Sequence, residues 1–133
     1  MWKIVVADHH SAIRNGLGKI LSDETTMQII AEARSSRDLL NKIRNTNPDL
    51  VLLDISLPGE TGIELLARIK NYYPQLPVLV MSMESGPEYE QMILHAGAAG
   101  FIRKDNLTNE VAHAITRTMS GSVYTTSPES TLL

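Results

Sequence analysis

Five times along this chain a short apolar run gives way to a stretch with helical spacing, and that alternation restricts the fold more than any other feature. The runs are Ile4-Val5-Val6-Ala7, the segment Met27 to Ala33, Leu50-Val51-Leu52-Leu53, Val78-Leu79-Val80-Met81 and Gly100-Phe101-Ile102-Arg103. Continuous apolar runs of this length read as strands buried on both faces. The segment from Met27 has polar ends and reads as an edge strand. Between the runs, Ile13, Leu17, Ile20 and Leu21 share one helical face, with Ser11 as the expected N-cap. Ser35 or Ser36 opens a second helix through Leu39, Leu40 and Ile43, which Asn47-Pro48 stops. Gly62 to Tyr73 carries Ile63, Leu66 and Ile69 ahead of Pro74. Tyr89, Met92, Ile93 and Ala96 precede Gly97, and Leu107, Val111, Ala114, Ile115 and Thr118 mark a last helix. Met81, Met83 and Met92 are expected to pack inside. Strands alternating with helices imply a parallel sheet covered on both faces. Right-handed crossovers make it an open, doubly wound α/β sheet.

Composition excludes several classes of function. The 133 residues suit one domain, and a hydrophobic share of 43% supports a packed core. Net charge is −3, and the basic residues are scattered from Lys3 to Arg117, so the chain has no electrostatic footprint for nucleic acid. With no cysteine there are no disulfides, thiolate metal sites or cysteine nucleophiles. No apolar run approaches the roughly 18 residues of a membrane span. The N-terminus lacks the apolar core of a signal peptide, so a cytoplasmic location with no membrane partner is expected.

Ligands of doubly wound sheets bind outside the carboxyl ends of the strands. Asp8, Asp54, Ser82 and Lys104 each fall at such an end. Asp54 alone is ambiguous: an acid there can be a nucleophile, a metal ligand or a polar strand terminator. Two carboxylates about 4 Å apart repel by roughly 4 kcal/mol at an effective dielectric near 20, which a divalent cation offsets. Mg²⁺ takes oxygen ligands, here Asp8, Asp54 and a backbone carbonyl near Ser56. Lys104 and Ser82 suit contacts to phosphoryl oxygens, and a carboxylate can itself attack phosphorus.

At these residues the chain resembles the response-regulator receiver domains of two-component signalling. The likeness rests on Val6-Ala7-Asp8, on Leu52 to Gly59 with Asp54 and Pro58, on Gly62, on Val80-Met81-Ser82, and on Gly97 to Lys104. The resemblance implies a flavodoxin-like sheet of five parallel strands in order 2-1-3-4-5, with five helices. It implies Asp54 as phosphoacceptor from a sensor histidine kinase, Mg²⁺ held by Asp8, Asp54 and the Ser56 carbonyl, and Lys104 and Ser82 on the phosphoryl group. Ser82 and Phe101 take the switch positions. Such a domain is a signalling device, not a turnover enzyme. The Gly100-Phe101-Ile102-Arg103-Lys104-Asp105 ending and His10 are similar to the LuxR/NarL-type subfamily, whose receivers precede a helix-turn-helix domain. On that basis residues 1–119 are the receiver domain and 120–133, with Pro128, begin a linker to an absent output domain. Activation is expected to produce a homodimer, with DNA bound only through the output domain.

The chain departs from the family at His9, where a second acid and closer Mg²⁺ ligand is usual. Imidazole is a poor Mg²⁺ ligand, so a weaker site is expected. His9 therefore motivates an alternative, a pseudo-receiver that works by protein contact without efficient phosphorylation. A haloacid-dehalogenase-type phosphatase needs an acid two residues after the nucleophile, where this chain has Ser56. A dinucleotide site needs Gly-x-Gly-x-x-Gly after the first strand, which is absent.

Overall fold

The computed structural model describes residues 1–125. The strands are β1 (Trp2–Ala7), β2 (Met27–Ala33), β3 (Leu50–Asp54), β4 (Val78–Ser82) and β5 (Gly100–Arg103). The helices are α1 (Ser11–Ser22), α2 (Ser36–Thr46), α3 (Gly62–Tyr72), α4 (Pro87–His95) and α5 (Leu107–Met119). All strand pairs are parallel and the order is β2-β1-β3-β4-β5, as the receiver resemblance implies. β2 lies at one edge, in keeping with its polar ends.

The two-residue period of the strands divides the core. Val5, Ala7, Val51, Leu53, Val78 and Val80 point to one face and pack with Leu39, Ile43, Leu65, Leu66, Ile69 and Ile93 of α2, α3 and α4. Ile4, Val6, Leu50, Leu52, Leu79 and Met81 point to the other and meet Leu17 and Leu21 of α1 and Val111 and Ile115 of α5. Both faces of β3 are covered, so all five of its residues are buried.

Local signals set the helix ends, with some differences from expectation. Ser35 caps α2, its hydroxyl accepting from the Asp38 amide at 3.2 Å, and Asn47 ends the helix in the left-handed region at φ 50°. Ser11 is not the cap of α1. It is already helical, and His10 occupies the extended cap position with its side chain turned to Asp8. On α3, Leu65 is buried with Leu66 and Ile69, while Ile63 is only partly covered. Met83 and Met92 do not pack inside: they are 73% and 49% exposed. Met83 lies in the loop before α4 and Met92 on the outer face of that helix, while Met81 is buried within β4.

After α5 the chain turns back to β5. The Phe101 amide donates to the Tyr124 carbonyl at 2.7 Å, and Gly100 forms a parallel bridge with Tyr124. A Cβ on residue 100 would lie 2.8 Å from a Leu79 methyl and 2.9 Å from the Tyr124 carbonyl oxygen, so the close approach requires glycine. Pro128 and the rest of 126–133 fall outside the described residues.

Candidate phosphoacceptor site

The carboxyl ends of β1 and β3 bring Asp8 and Asp54 together, because the two strands are direct neighbours in register. Both side chains are buried. Each carboxylate has one oxygen engaged by its own loop. Asp8 Oδ1 accepts from the His10 amide and meets His10 Nδ1, both at 2.9 Å. Asp54 Oδ1 accepts from the Ser56 amide at 3.0 Å and the Ser56 hydroxyl at 2.8 Å. The remaining oxygens point inward to a shared cation. Lys104 Nζ lies 2.6 Å from Asp8 Oδ2 and 3.1 Å from Asp54 Oδ2.

Lys104 opens the short 3₁₀ turn Lys104–Asn106 that follows β5. Its charged head is buried among the acids, where a free ammonium would be costly and a paired one is not. Burial alone would push the Asp8 carboxyl up; the Lys104 ammonium and the His10 amide and ring outweigh it and hold the carboxyl below its ordinary value. Two buried carboxylates against one ammonium still leave a deficit of positive charge. Neither Oδ2 atom accepts a well-directed hydrogen bond among the described residues. The carboxylates therefore fit a divalent cation, but the neighbouring group is an imidazole: His9 Nδ1 stands 3.6 Å from Asp54 Oδ2.

Ser82 ends β4 one residue beyond the Asp54–Met81 register pair. It is buried, and its hydroxyl oxygen accepts from the Glu84 amide at 3.0 Å. That bond leaves the hydroxyl proton available to a ligand. Phe101 is fully buried on the α4 side of the sheet, edge-on to Tyr89 with ring centroids 6.0 Å apart. The structure thus joins Asp8 and Asp54 through Lys104 and sets His9 and Ser56 against Asp54, with Ser82 at the same end of the sheet. Phe101 lies three residues before Lys104 on the adjoining strand.

Two participants are additional to the sequence reading. His10 orients Asp8, and Arg14 Nη1 donates to the Asp8 carbonyl at 2.6 Å while its Nε binds Glu32 at 2.8 Å. Arg14 has a visible signal, since it shares a helical stripe with Leu17 and Leu21 and is buried like them. A charged residue on a core-facing stripe calls for an internal partner.

This arrangement, a buried acid pair and a lysine at the carboxyl rim of a 2-1-3-4-5 sheet, defines a class, and comparison with known proteins gives the same one. The family model described as response regulator receiver domain matches residues 4–116, and the chain belongs to that family. Among similar proteins, the response regulator GacA of Pseudomonas syringae pv. syringae is 31% identical over 124 residues, covering 93% of this chain and 58% of that protein. The oxygen regulatory protein NreC of Staphylococcus aureus is 32% identical, covering 92% of this chain and 57% of its own length. The chain therefore spans little more than half the length of these curated relatives. A LuxR-family two-component response regulator from Aurantimonas sp. SI85-9A1 superposes with a TM-score of 0.89 at 26% identity, covering 99% of this chain and 94% of that one. The signal receiver domain of NarL from Mycobacterium tuberculosis gives 0.83 at 31% identity, covering 90% and 97%.

Proposed function

We propose that Asp54 is the phosphoacceptor of this receiver domain, charged by a sensor histidine kinase. The observation that carries this is the asymmetry of the Asp54 carboxylate. Ser56 holds Oδ1, so Oδ2 is aimed at the pocket and backed by Lys104 at 3.1 Å. Fixing the nucleophile in this way removes orientational freedom that the reaction would otherwise have to freeze.

In the proposed step Asp54 Oδ2 forms a bond to phosphorus as the P–N bond of a phosphohistidine breaks and its electron pair returns to the imidazole nitrogen. Lys104 moves from the two carboxylates onto a phosphoryl oxygen, keeping its charge paired throughout. Ser82 donates its free hydroxyl proton to another. Asp8, held by His10 and Arg14, stays ionised beside the reacting group. Asp8, Asp54 and the Ser56 carbonyl would hold Mg²⁺, which supplies positive charge for the crowded acids and the incoming phosphoryl oxygens.

Charging a buried acid alters the pairing of Lys104 at the end of β5, and Phe101 lies on that strand. In this reading the surface of α4, β5 and α5 responds, by a shift between two populated states. The response governs dimerisation and, through an output domain beyond this chain, DNA binding and transcription. The likeness to a LuxR-family regulator and the partial coverage of longer relatives support that part. A cytoplasmic location follows from the same role; among the described residues no helix is long and apolar enough to cross a membrane.

The test is incubation with a small acyl-phosphate donor with and without Mg²⁺, followed by intact mass. We expect one added phosphoryl group, dependent on Mg²⁺ and absent in Asp54→Asn. The position of His9 beside Asp54 supports the second reading, a pseudo-receiver. No added group in the natural chain, with one gained in His9→Asp, would select it.

A further inference from the structure

We propose that the pocket between Asp8, His9 and Asp54 takes a nitrogen-accepting first-row divalent cation, with Zn²⁺ favoured far above Mg²⁺ and His9 as the ligand that sets the preference. The inference deepens the reading above by ranking the cations of the same pocket, with Mg²⁺ the weaker occupant, and it rests on that reading only in treating the pocket as a site.

Four side chains able to bind a metal converge here. One ligand atom from each of Asp8, His9, His10 and Asp54 lies within 4.8 Å of the others. Their parts are unequal. His10 is committed to Asp8 Oδ1 through its amide and its ring, and Ser56 is committed to Asp54 Oδ1. Hydrogen bonds to the outer oxygen of a ligating carboxylate are what fixes such a ligand and aims the other oxygen. The inner oxygens, Asp8 Oδ2 and Asp54 Oδ2, are buried and lack a directed hydrogen bond, being balanced only by charge.

His9 is the third donor facing this point. Its Nδ1 is 3.6 Å from Asp54 Oδ2. Two ligands about 2.0 Å from a tetrahedral Zn²⁺ stand about 3.3 Å apart, so a shift of a few tenths of an ångström completes that edge. The His9 side chain is 38% exposed and lies against the His10 ring with centroids 3.8 Å apart, so the ring has room on its solvent side for a shift of that size. An acid at this position would extend the oxygen set that Mg²⁺ prefers; His9 offers nitrogen instead, and mixed imidazole and carboxylate sets suit Zn²⁺. Lys104 occupies the inner oxygens as a single positive charge, and a divalent cation would displace it toward the rim.

The experiment titrates the whole chain with Zn²⁺ and, separately, Mg²⁺ by calorimetry at pH 7, without phosphoryl donor. The variants are His9→Ala, His9→Asp and His95→Ala, the last an exposed histidine on α4, with circular dichroism confirming that each is folded. We expect one Zn²⁺ per chain, bound about tenfold or more weakly in His9→Ala and unchanged in His95→Ala. His9→Asp should narrow the ratio of Zn²⁺ to Mg²⁺ affinity by at least tenfold. X-ray absorption of the zinc-loaded chain should show imidazole nitrogen among its ligands. Equal Zn²⁺ affinity in the natural chain and His9→Ala, loss of the site in His95→Ala, or a spectrum without imidazole overturns the proposal. Because no donor is present, failure to bind zinc and failure to phosphorylate Asp54 are separate results.

Discussion

Lys104 bears most of the electrostatic load at the scale of single residues. It is the cation shared by two buried carboxylates, at 2.6 and 3.1 Å. Replacing it with methionine keeps the stem and removes the charge, leaving both inner oxygens facing each other. We expect Lys104→Met to lose about 3 kcal/mol of stability at pH 7, read by urea unfolding, and to charge more slowly with a phosphoryl donor. Arg103, next in sequence and half-buried with its guanidinium on Asp105 at 2.6 Å, is the comparison, and Arg103→Met should cost less than Lys104→Met. Tyr124 is a second residue with a measurable signature. Burial, with the hydrogen bond to Glu110 and that group's charge, pushes its hydroxyl pKa up. The folded state therefore prefers the protonated phenol. Its contribution is complete below the ordinary tyrosine value of 10.0 and declines as pH rises above it, because the unfolded chain ionises first. Stability measured from pH 8 to 11 should fall more steeply in the natural chain than in Tyr124→Phe.

The elements show which signals a sequence carries and which it does not. The ranges of β3 and β4, the position of β2 at an edge and the apolar stripe of α5 were legible because burial on both faces, or on one helical stripe, writes itself into residue order. The cap of α1 was not legible. Serine at residue 11 has good cap chemistry, but His10 is drawn out of the helix by its bonds to Asp8, which is a tertiary effect. Met83 and Met92 misled for the opposite reason: they are apolar, yet nothing in their spacing tells an outer face from an inner one. Ser35 is a plain test of a cap that was legible. Ser35→Ala should cost about 1 kcal/mol in thermal or urea unfolding through loss of the Asp38 amide bond. The return of Tyr124 to β5 was hidden, since its contacts to Phe101 and Gly100 span more than twenty residues of sequence. Gly100→Ala should force the Tyr124 carbonyl away and raise the hydrogen-exchange rate of the Phe101 amide.

For the whole molecule, topology does the gathering. Asp8, Asp54, Ser82 and Lys104 are distant in sequence but stand at one rim, because every strand of a parallel sheet ends on the same side. That made four members of the site visible from strand ends alone. The core-facing place of Arg14 on α1 was visible, but the bonds of His10 and Arg14 to Asp8 were not, because they depend on where α1 lies against β1. The same frame makes His9 consequential, since whatever follows Asp8 on that rim faces Asp54. On the proposed reading, Oδ2 of Asp54 accepts the phosphoryl group. The most direct measurement exposes the chain to an acyl-phosphate donor and a divalent cation, reduces the product with borohydride and maps the peptides by mass. An aspartyl phosphate at residue 54 would appear there as homoserine, in the presence of donor and cation together and in smaller yield in Lys104→Met at matched times. Homoserine at another residue, or none at any, would contradict the assignment of Asp54 as phosphoacceptor.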